Sequence, residues 1–247
     1  MPTSTALKKV AILQSNYIPW KGYFDIIASV DAFYLFDDVQ FTRRDWRNRN
    51  KIILGGKVHW LTIPVVTKGA FNAPIDTVAI ADKSWARKHW ASIRHAYAKA
   101  PHFRAMAPLI EPIYTEAADL GRLSAVNELF LRKLAGILGL TTTFLKSAEV
   151  PRVANDPTGR LVELCAARGA TLYLSGPAAR SYIQKAQFDS AGIALAYADY
   201  SGYPVYDQGP GPFEHGVSIV DVLMRCGLEA KSHLKAMRED SAFMVPG

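Results

Sequence analysis

The stretch VAILQSNYIPWKGYFDIIASVDAFYLFDDVQ, residues 10–40, decides how this chain folds. It opens with an apolar run at residues 10–13, passes through an aromatic, polar turn and a short helix-like segment, and reaches a second apolar run at residues 33–36. A strand, a helix and a second strand in this order open an α/β sheet, in which ligands bind beyond the carboxyl ends of the strands. Because both runs end in amides, aromatic rings and acids, the same stretch predicts a ligand site.

The remainder of the chain continues the alternation of strands and helices. Gly55 and Gly56 predict a hairpin turn before a strand at residues 57–65. Helices between strands imply parallel βαβ units. The sequence therefore predicts an α/β fold with a single mostly parallel sheet flanked by helices, and an inserted or appended helical segment at about residues 84–139. Further strands are predicted at residues 141–145, 171–174 and 193–200, and helices at 84–100, 108–118, 123–138, 156–169, after 176 and from 217.

Composition places the chain among ordinary globular proteins. Of its 247 residues 49% are hydrophobic and 21% charged, and a chain of this length buries a core without a disulfide or metal. Cys165 and Cys226 lie far apart in apolar contexts, which predicts buried free thiols. The first apolar run, at residues 10–13, is too short for a signal peptide or a membrane span, so we expect no membrane span and a cytoplasmic location.

The positive charge is concentrated in one segment. The net charge is +7, and residues 41–57 carry six basic residues against one acidic residue, a net of +5. A solvated loop, a nucleic-acid patch and a pocket for an anionic ligand all have this composition. Because the rest of the chain is nearly neutral, a local site is favoured over a broad nucleic-acid-binding face.

Candidate binding residues follow the first strand. Two amides there can bond a ligand, flat rings can stack on it, and a glycine permits close backbone approach. A strand–helix turn that is merely packed by aromatic rings remains the alternative. The candidates are Gln14, Asn16, Tyr17, Trp20, Gly22 and Tyr23.

Two acids follow the second strand. Asp37 and Asp38, with Gln40 close by, suit Mg²⁺ or an amine, and they equally suit a cap or the nearby arginines. No cluster of histidines and cysteines has metal-ligand spacing, so no transition-metal site is predicted.

The basic segment supplies a third group of candidates. Arginine forks bind carboxylate or phosphate with two parallel bonds. In an extended segment, alternation would place Arg47, Arg49 and Lys51 on one side. A solvated basic loop is the alternative. Trp46 and Asn48 complete this group.

Two weaker candidates lie in the second half. Ser175, Gly176 and Arg180 follow a strand and precede a helix, an arrangement that binds anions and is also an ordinary βα turn. Glu214 and His215 are adjacent, and a histidine serves as a base near neutral pH or is simply structural. Gly-x-Ser-x-Gly, P-loop and Gly-x-Gly-x-x-Gly motifs are absent from the sequence, so those three enzyme classes lack support.

Taken together, these segments resemble the WbqC-like protein family. The resemblance spans nearly the whole chain and implies one domain over residues 1–247. Ser15 departs from the family, in which a proline is expected at that position. The matching stretches are QSNYIPWKGYFD (14–25), DDVQ (37–40), WRNRNKI (46–52), WLTIPV (60–65), YLSG (173–176) and residues 212–223.

The resemblance implies a function in bacterial surface polysaccharides. Members occur among O-antigen genes, and transfer of glycine to a sugar has been suggested for them. We therefore expect a transferase that attaches an aminoacyl or other small acyl group to a small-molecule or carrier-linked sugar. Arg47 would stabilise charge, and Asp37, Asp38 or His215 would take a proton, while the other candidates bind substrate. ATP or another nucleotide with Mg²⁺ is the candidate cofactor.

Other interpretations stay open at this stage. The opening also resembles the nucleotidylyltransferase and pantothenate-synthetase group, which makes a nucleotidylyltransferase-like fold one expectation. The His-x-Gly-His motif of that group is replaced here by WKGY at residues 20–23, so Lys21 and the basic segment would have to supply positive charge. A non-catalytic module for a nucleotide-sugar or anionic ligand is the second hypothesis. A nucleic-acid-binding or nucleic-acid-modifying protein is the third.

Overall fold

The computed structural model describes residues 8–66, 72–238 and 243–247, and its elements alternate as the sequence predicts. The strands are β1 (Lys9–Leu13), β2 (Ala32–Leu35), β3 (Arg49–Leu54), β4 (Lys57–Thr62), β5 (Thr143–Lys146), β6 (Leu172–Ser175), β7 (Ala194–Ala198) and β8 (Met244–Pro246). The α-helices are α1 (Lys21–Ala28), α2 (Trp85–Tyr97), α3 (Phe103–Ala117), α4 (Leu123–Ile137), α5 (Pro157–Ala166), α6 (Lys185–Ser190) and α7 (Ile219–Cys226).

Six strands form the main sheet, in the order β5-β2-β1-β6-β7-β8. The first five are parallel and β8 is antiparallel to β7, which confirms the predicted α/β fold with a mostly parallel sheet. The chain moves outward from β1 to β2 and β5, and then returns to place β6 on the other side of β1. The strand order therefore reverses between β1 and β6. In sheets of this kind the ligand crevice lies at such a reversal.

Helices cover both faces of this sheet, as parallel strands require. In β1, Ala11 faces the larger core, which contains α1, α2, α3, α4 and α7, while Val10 and Ile12 face the smaller core under α5 and α6. Cys165 and Cys226 are free thiols, the first buried and the second half-buried. None of the helices in the described parts of the chain combines the length and apolar composition needed to cross a bilayer.

Two helices differ from the sequence prediction. The helix expected to begin at residue 108 begins at Phe103 instead. Pro108, which is typical of a helix start, lies inside α3 together with Pro112. Both prolines are exposed, so water can bond the backbone carbonyls that they leave without an N–H partner. The segment after β6 forms a five-residue 3₁₀ helix, Pro177–Ser181, instead of an α-helix.

Tyr17 joins the helical segment to the sheet. Its hydroxyl lies 2.9 Å from His89 Nδ1 and 2.9 Å from the Tyr114 hydroxyl, and its ring meets Trp85 and Phe130 edge-on. The side chain is fully buried. Tyr17, which the sequence placed among the pocket residues, thus packs in the core and holds α2, α3 and α4 against the start of α1.

Strands β3 and β4 form a separate antiparallel hairpin. Gly55 and Gly56 make its turn with φ of +57° and +76°, and this turn sets a register in which Lys51 pairs with Trp60. The turn packs against Pro210, because a Cβ at Gly56 would lie 2.6 Å from the Pro210 carbonyl oxygen. The hairpin is thereby fixed against the loop that precedes α7.

Replacing Gly56 by alanine is expected to lower the free energy of unfolding by about 1–3 kcal/mol, because the new methyl group is both strained at positive φ and in collision with Pro210. Gly55→Ala is the matched control: Gly55 has a similar φ, but open space surrounds it, so a loss of about 1 kcal/mol is expected. Urea denaturation of both variants measures the difference. Equal losses would contradict the packing of this turn on Pro210.

Candidate functional site

A crevice of about 390 Å³ lies at the carboxyl ends of β1 and β6, where the strand order reverses. Gln14 follows β1, and Ser175 and Gly176 end or follow β6, so three predicted binding residues from two distant segments meet here. The remaining lining is chiefly apolar. Sequence reasoning did not find these residues, since apolar side chains at strand ends carry no functional signal. They include Leu13, Phe36, Val39, Leu161, Ala178 and Tyr182.

Arg47 stands at the boundary of this crevice. One guanidinium nitrogen donates to the Gln14 carbonyl oxygen at 3.2 Å and to Asn16 Oδ1, and the other lies 3.6 Å from Asp45. The side chain is 13% exposed, and its buried Nε has no hydrogen-bond partner among the described residues. Arg47 precedes β3, so the alternation expected for an extended segment covers Arg49 and Lys51 but not Arg47.

A second recess, the tryptophan hollow, adjoins the same contact, because Asn16 lines it and accepts a bond from Arg47 of the crevice. Its volume is about 190 Å³. Two indole rings and two amides dominate its wall, which is the mixture that the sequence led us to expect for a ligand site. The lining residues are Asn16, Pro19, Trp20, Trp46, Asn50 and Gly216.

Trp20 owes its position to Gly22. The indole lies over Gly22 so closely that a Cβ there would overlap it, and the ring meets Tyr200 at 5.0 Å. The close approach expected at Gly22 is therefore made by Trp20 itself. Asn50 shapes the hollow through its amide, which donates to the carbonyls of Tyr17 and Ile18 at 3.0 Å each.

The hairpin adds a stack of rings and cations beside the hollow. Trp46 contacts Trp60 at 5.4 Å between ring centroids, and the Arg49 guanidinium lies 4.2 Å from the Trp60 ring. Lys51 Nζ lies 5.6 Å from the Trp46 ring and 5.5 Å from the Trp60 ring. Trp60 was not among the predicted site residues.

Glu214 and His215 lie near the same hollow. The Glu214 carboxylate accepts from the Gly216 N–H at 2.8 Å and lies 3.6 Å from Lys51 Nζ. The exposed His215 ring packs edge-on against Phe213 at 4.6 Å. Partial burial, followed by the charge of Lys21, holds the pKa of His215 below its usual value of 6.5, so the imidazole is neutral at neutral pH.

Asp37 and Asp38 line a different recess of about 140 Å³, together with Asp76, Glu128 and Lys146. The Asp37 carboxylate accepts from the Ser15 N–H at 2.8 Å, and burial raises its pKa. This bond uses the N–H that a proline at position 15 would lack.

Asp38 is engaged on both carboxylate oxygens. It pairs with the fully buried Arg160 at 3.3 Å and accepts from the Ser147 hydroxyl. In the described part of the chain no group of three acidic, histidine or cysteine residues has metal-site geometry. Both aspartates therefore have protein partners: Asp37 binds the Ser15 backbone, and Asp38 binds Arg160 and Ser147.

Four further candidate residues, Tyr23, Asn48, Gln40 and Arg180, line neither the crevice nor the tryptophan hollow. Tyr23 is buried, and its hydroxyl donates to the Gln14 carbonyl oxygen at 2.9 Å. Asn48 donates to the Ile63 carbonyl oxygen at 2.8 Å within the hairpin region. Gln40 Nε2 donates to Asn72 Oδ1 at 3.2 Å, and the Arg180 guanidinium lies 4.4 Å from the Tyr197 ring.

Comparison with known proteins identifies the family of the chain. The model of the WbqC-like protein family matches residues 14–233, a range that contains the whole lining of the tryptophan hollow and all of the crevice lining except Ile12 and Leu13. The chain belongs to the WbqC-like protein family. A Mycobacterium tuberculosis protein named "Uncharacterized protein Rv1507c" is 43% identical over 233 residues, covering 94% of this chain and 100% of that relative. No solved structure matches the chain.

Lys21 of this WbqC-like chain does not face a ligand. It is 1% exposed, donates to the Pro204 carbonyl oxygen at 3.2 Å, and is enclosed by three aromatic rings. The hypothesis that Lys21 supplies charge to a ligand is therefore corrected: its ammonium holds the loop before α7 against α1. Burial lowers its pKa to about 8. The enclosing rings belong to Tyr203, Tyr206 and Phe213.

The stability of this WbqC-like protein is expected to rise from pH 8 towards pH 10.5, relative to a Lys21→Met variant. Below pH 8 the folded protein holds a buried charge, whereas above it the folded protein releases a proton that the unfolded chain still binds. The relative gain is on the order of 1–3 kcal/mol. Urea denaturation of both proteins at several pH values measures it. A difference that stays constant from pH 7 to 10 would show that Lys21 titrates normally.

Proposed function

We propose that the protein is a transferase that attaches an aminoacyl group, such as glycyl, or another small acyl group to a sugar in bacterial surface polysaccharide biosynthesis. The observation that carries the proposal is the pair of recesses that flank the contact between Arg47 and Asn16. A transfer between two substrates needs two adjoining sites and a positive group between them. The family, with its suggested glycine transfer, supports the same reaction class.

The linings differ in a way that assigns the two substrates. The crevice is mainly apolar and lies at the strand-order reversal, so it suits the donor, with its acyl group against Leu13 and Phe36. The tryptophan hollow combines indole faces with amides, and so it suits the apolar face and the hydroxyl edges of a sugar. Arg47 then lies where the acyl carbon of the donor meets the nucleophile of the sugar.

The reaction follows from this placement. An amine or hydroxyl of the sugar attacks the acyl carbonyl carbon of a donor activated as a thioester or acyl adenylate, and the bond to the leaving group breaks. Arg47 stabilises the negative charge that develops on the carbonyl oxygen. The proton goes to His215, whose neutral imidazole lies next to Gly216 of the hollow, while Asp37 and Asp38 lie in a separate recess.

The test is a transfer assay read by mass spectrometry. The purified protein is incubated with acyl thioesters, or with amino acids plus ATP and Mg²⁺, and with a panel of amino sugars, sugar phosphates and nucleotide-linked sugars. We expect an acceptor to gain the mass of the acyl group. Ala178→Trp, which fills the crevice from its exposed rim, should abolish the gain, and Ala191→Trp, at the exposed residue that follows α6, is the matched control. Ligand binding without any product would favour the non-catalytic binding module.

A further inference from the structure

Two cations lie beside the wall of the tryptophan hollow. Arg47 bonds Asn16 of its wall, and Lys51 Nζ lies 3.9 Å from the position that a Cβ would take at Gly216. The carboxylates nearest to these cations, Asp45 and Glu214, stand at 3.6 Å from Arg47 and Lys51, which is too long for a strong charge-assisted bond. Positive charge at the rim is therefore only partly compensated.

The wall of the hollow is reinforced from behind. Trp46 lines the hollow and meets Trp60, and Trp60 in turn meets the Arg49 guanidinium. Both tryptophans are 38% exposed, so this ring stack is open to solvent. A large exposed apolar surface beside partly compensated cations is typical of a ligand site, because neither feature stabilises the folded chain alone.

A rigid ring face with cations at its edge recognises a flat or apolar ring that carries a negative group. In a hollow of about 190 Å³ with amides in its wall, that description fits one sugar ring with a phosphate ester. A neutral sugar would use the indole and the amides but would offer no negative group to Lys51, whose described neighbours are Glu214 and the rings of Trp46 and Trp60. The side of the hollow next to Gly216 is where the phosphate would lie, because Lys51 is there.

We infer that the acceptor is a phosphorylated sugar, held on Trp46 with its phosphate on Lys51. This inference rests on the proposed function and names the substrate class of the same site. The phosphate is the link to a carrier, either a nucleoside diphosphate or a lipid diphosphate, and both carriers present the same chemistry to Lys51. The sugar ring points its nucleophile towards Arg47 and the crevice.

Binding is measured by tryptophan fluorescence with four kinds of probe: hexose and hexosamine 1-phosphates, their uridine, guanosine and thymidine diphosphate conjugates, the neutral sugars, and inorganic phosphate. We expect at least one phosphorylated sugar to bind about tenfold or more tightly than its neutral sugar, the loss expected for one charge-assisted bond. Equal affinity for the sugar phosphate and for its nucleotide conjugate means that the site binds the sugar and its phosphate but makes no contact with the nucleoside. A tighter conjugate means that the carrier is a nucleotide.

Variants identify the residues responsible. Lys51→Ala should lower the affinity for the phosphorylated sugar about tenfold and leave the affinity for the neutral sugar unchanged. Lys57→Ala, an exposed change on the same hairpin, is the matched control and should change neither. Trp46→Phe retains a ring and should bind, whereas Trp46→Ala should weaken both ligands.

Three outcomes overturn the inference: no phosphorylated sugar binds, the neutral sugar binds equally well, or Lys51→Ala has no effect. Binding of an oligothymidylate that falls steeply with salt and is not displaced by sugar phosphates would assign the stack to single-stranded nucleic acid instead. Acyl transfer to a neutral sugar would support the proposed function and refute this inference. Phosphate-dependent binding of a sugar without acyl transfer would support the phosphorylated ligand and contradict the proposed function.

Discussion

Replacing Asp221 by alanine is expected to lower the free energy of unfolding by about 3–5 kcal/mol, the largest effect on stability that we predict. The carboxylate is fully buried and accepts from the hydroxyls of Tyr97 and Tyr206 at 2.7 and 2.6 Å and from Gln208 Nε2 at 3.1 Å. Alanine would leave the hydroxyls of Tyr97 and Tyr206 as two buried donors without an acceptor, and each such donor costs about 1–3 kcal/mol. Urea denaturation followed by circular dichroism measures the loss.

The same change is expected to reach the tryptophan hollow. Gln208 exchanges hydrogen bonds with the backbone of Glu214, accepting at 2.8 Å and donating at 3.0 Å, so Asp221 fixes the loop that carries Glu214 and Gly216. Asp221→Asn is the matched control, because its amide keeps one acceptor at nearly the same volume, and a smaller loss is expected. A loss below about 1 kcal/mol for the alanine variant would mean that water replaces the carboxylate.

The sequence predicted the sheet because its signals are local. The apolar runs that became β1 and β2 are bounded by polar turns, and residues 10–13 pair in parallel with residues 32–35. The sequence also indicated two residues of the crevice wall, since Gln14 and Gly176 both follow strands. That these two residues meet could not be predicted, because the neighbourhood of β1 and β6 depends on strand order and not on any local pattern.

One turn shows why individual side chains were harder to place. Tyr17 and Trp20 lie three residues apart in the same turn, yet Tyr17 is in the core and Trp20 lines the hollow. Ile18 between them has a φ of +36°, which a β-branched residue disfavours. The amide of Asn50 holds the carbonyls on either side of that bend, so the turn is set by a residue more than thirty positions away.

The position of Trp60 could have been predicted from the sequence. In a hairpin with a two-residue turn at Gly55 and Gly56, residues at equal distances before and after the turn pair with each other, which places Trp60 opposite Lys51. The hairpin turn was predicted, but the pairing was not followed to its side chains. The orientation of Arg47 could not be obtained this way, because Arg47 lies before the strand and follows no alternation.

Replacing Arg47 by alanine is expected to reduce turnover by about 10²–10³-fold, the loss found when one group that stabilises an oxyanion is removed. The guanidinium lines the crevice and bonds Asn16 of the hollow, so its positive charge would lie beside the carbonyl oxygen of a donor bound there. The measurement is the rate of acyl transfer by mass spectrometry, once a donor and an acceptor are found.

Arg47 also holds the turn, and the two roles must be separated. Losing its bonds to Gln14 and Asn16 should cost about 1–3 kcal/mol of stability, which a chain of this size tolerates.

Arg47→Lys keeps the charge, but an ammonium lacks the rigid fork that reaches both acceptors and the reacting oxygen, so turnover should remain well below that of the natural protein. Arg87→Ala, at an exposed position on α2, is the matched control and should leave turnover unchanged. If Arg47→Ala transferred the acyl group at the full rate while both recesses still bound their ligands, the transfer step would take place elsewhere. A change in the walls of the recesses could not then account for the unchanged rate.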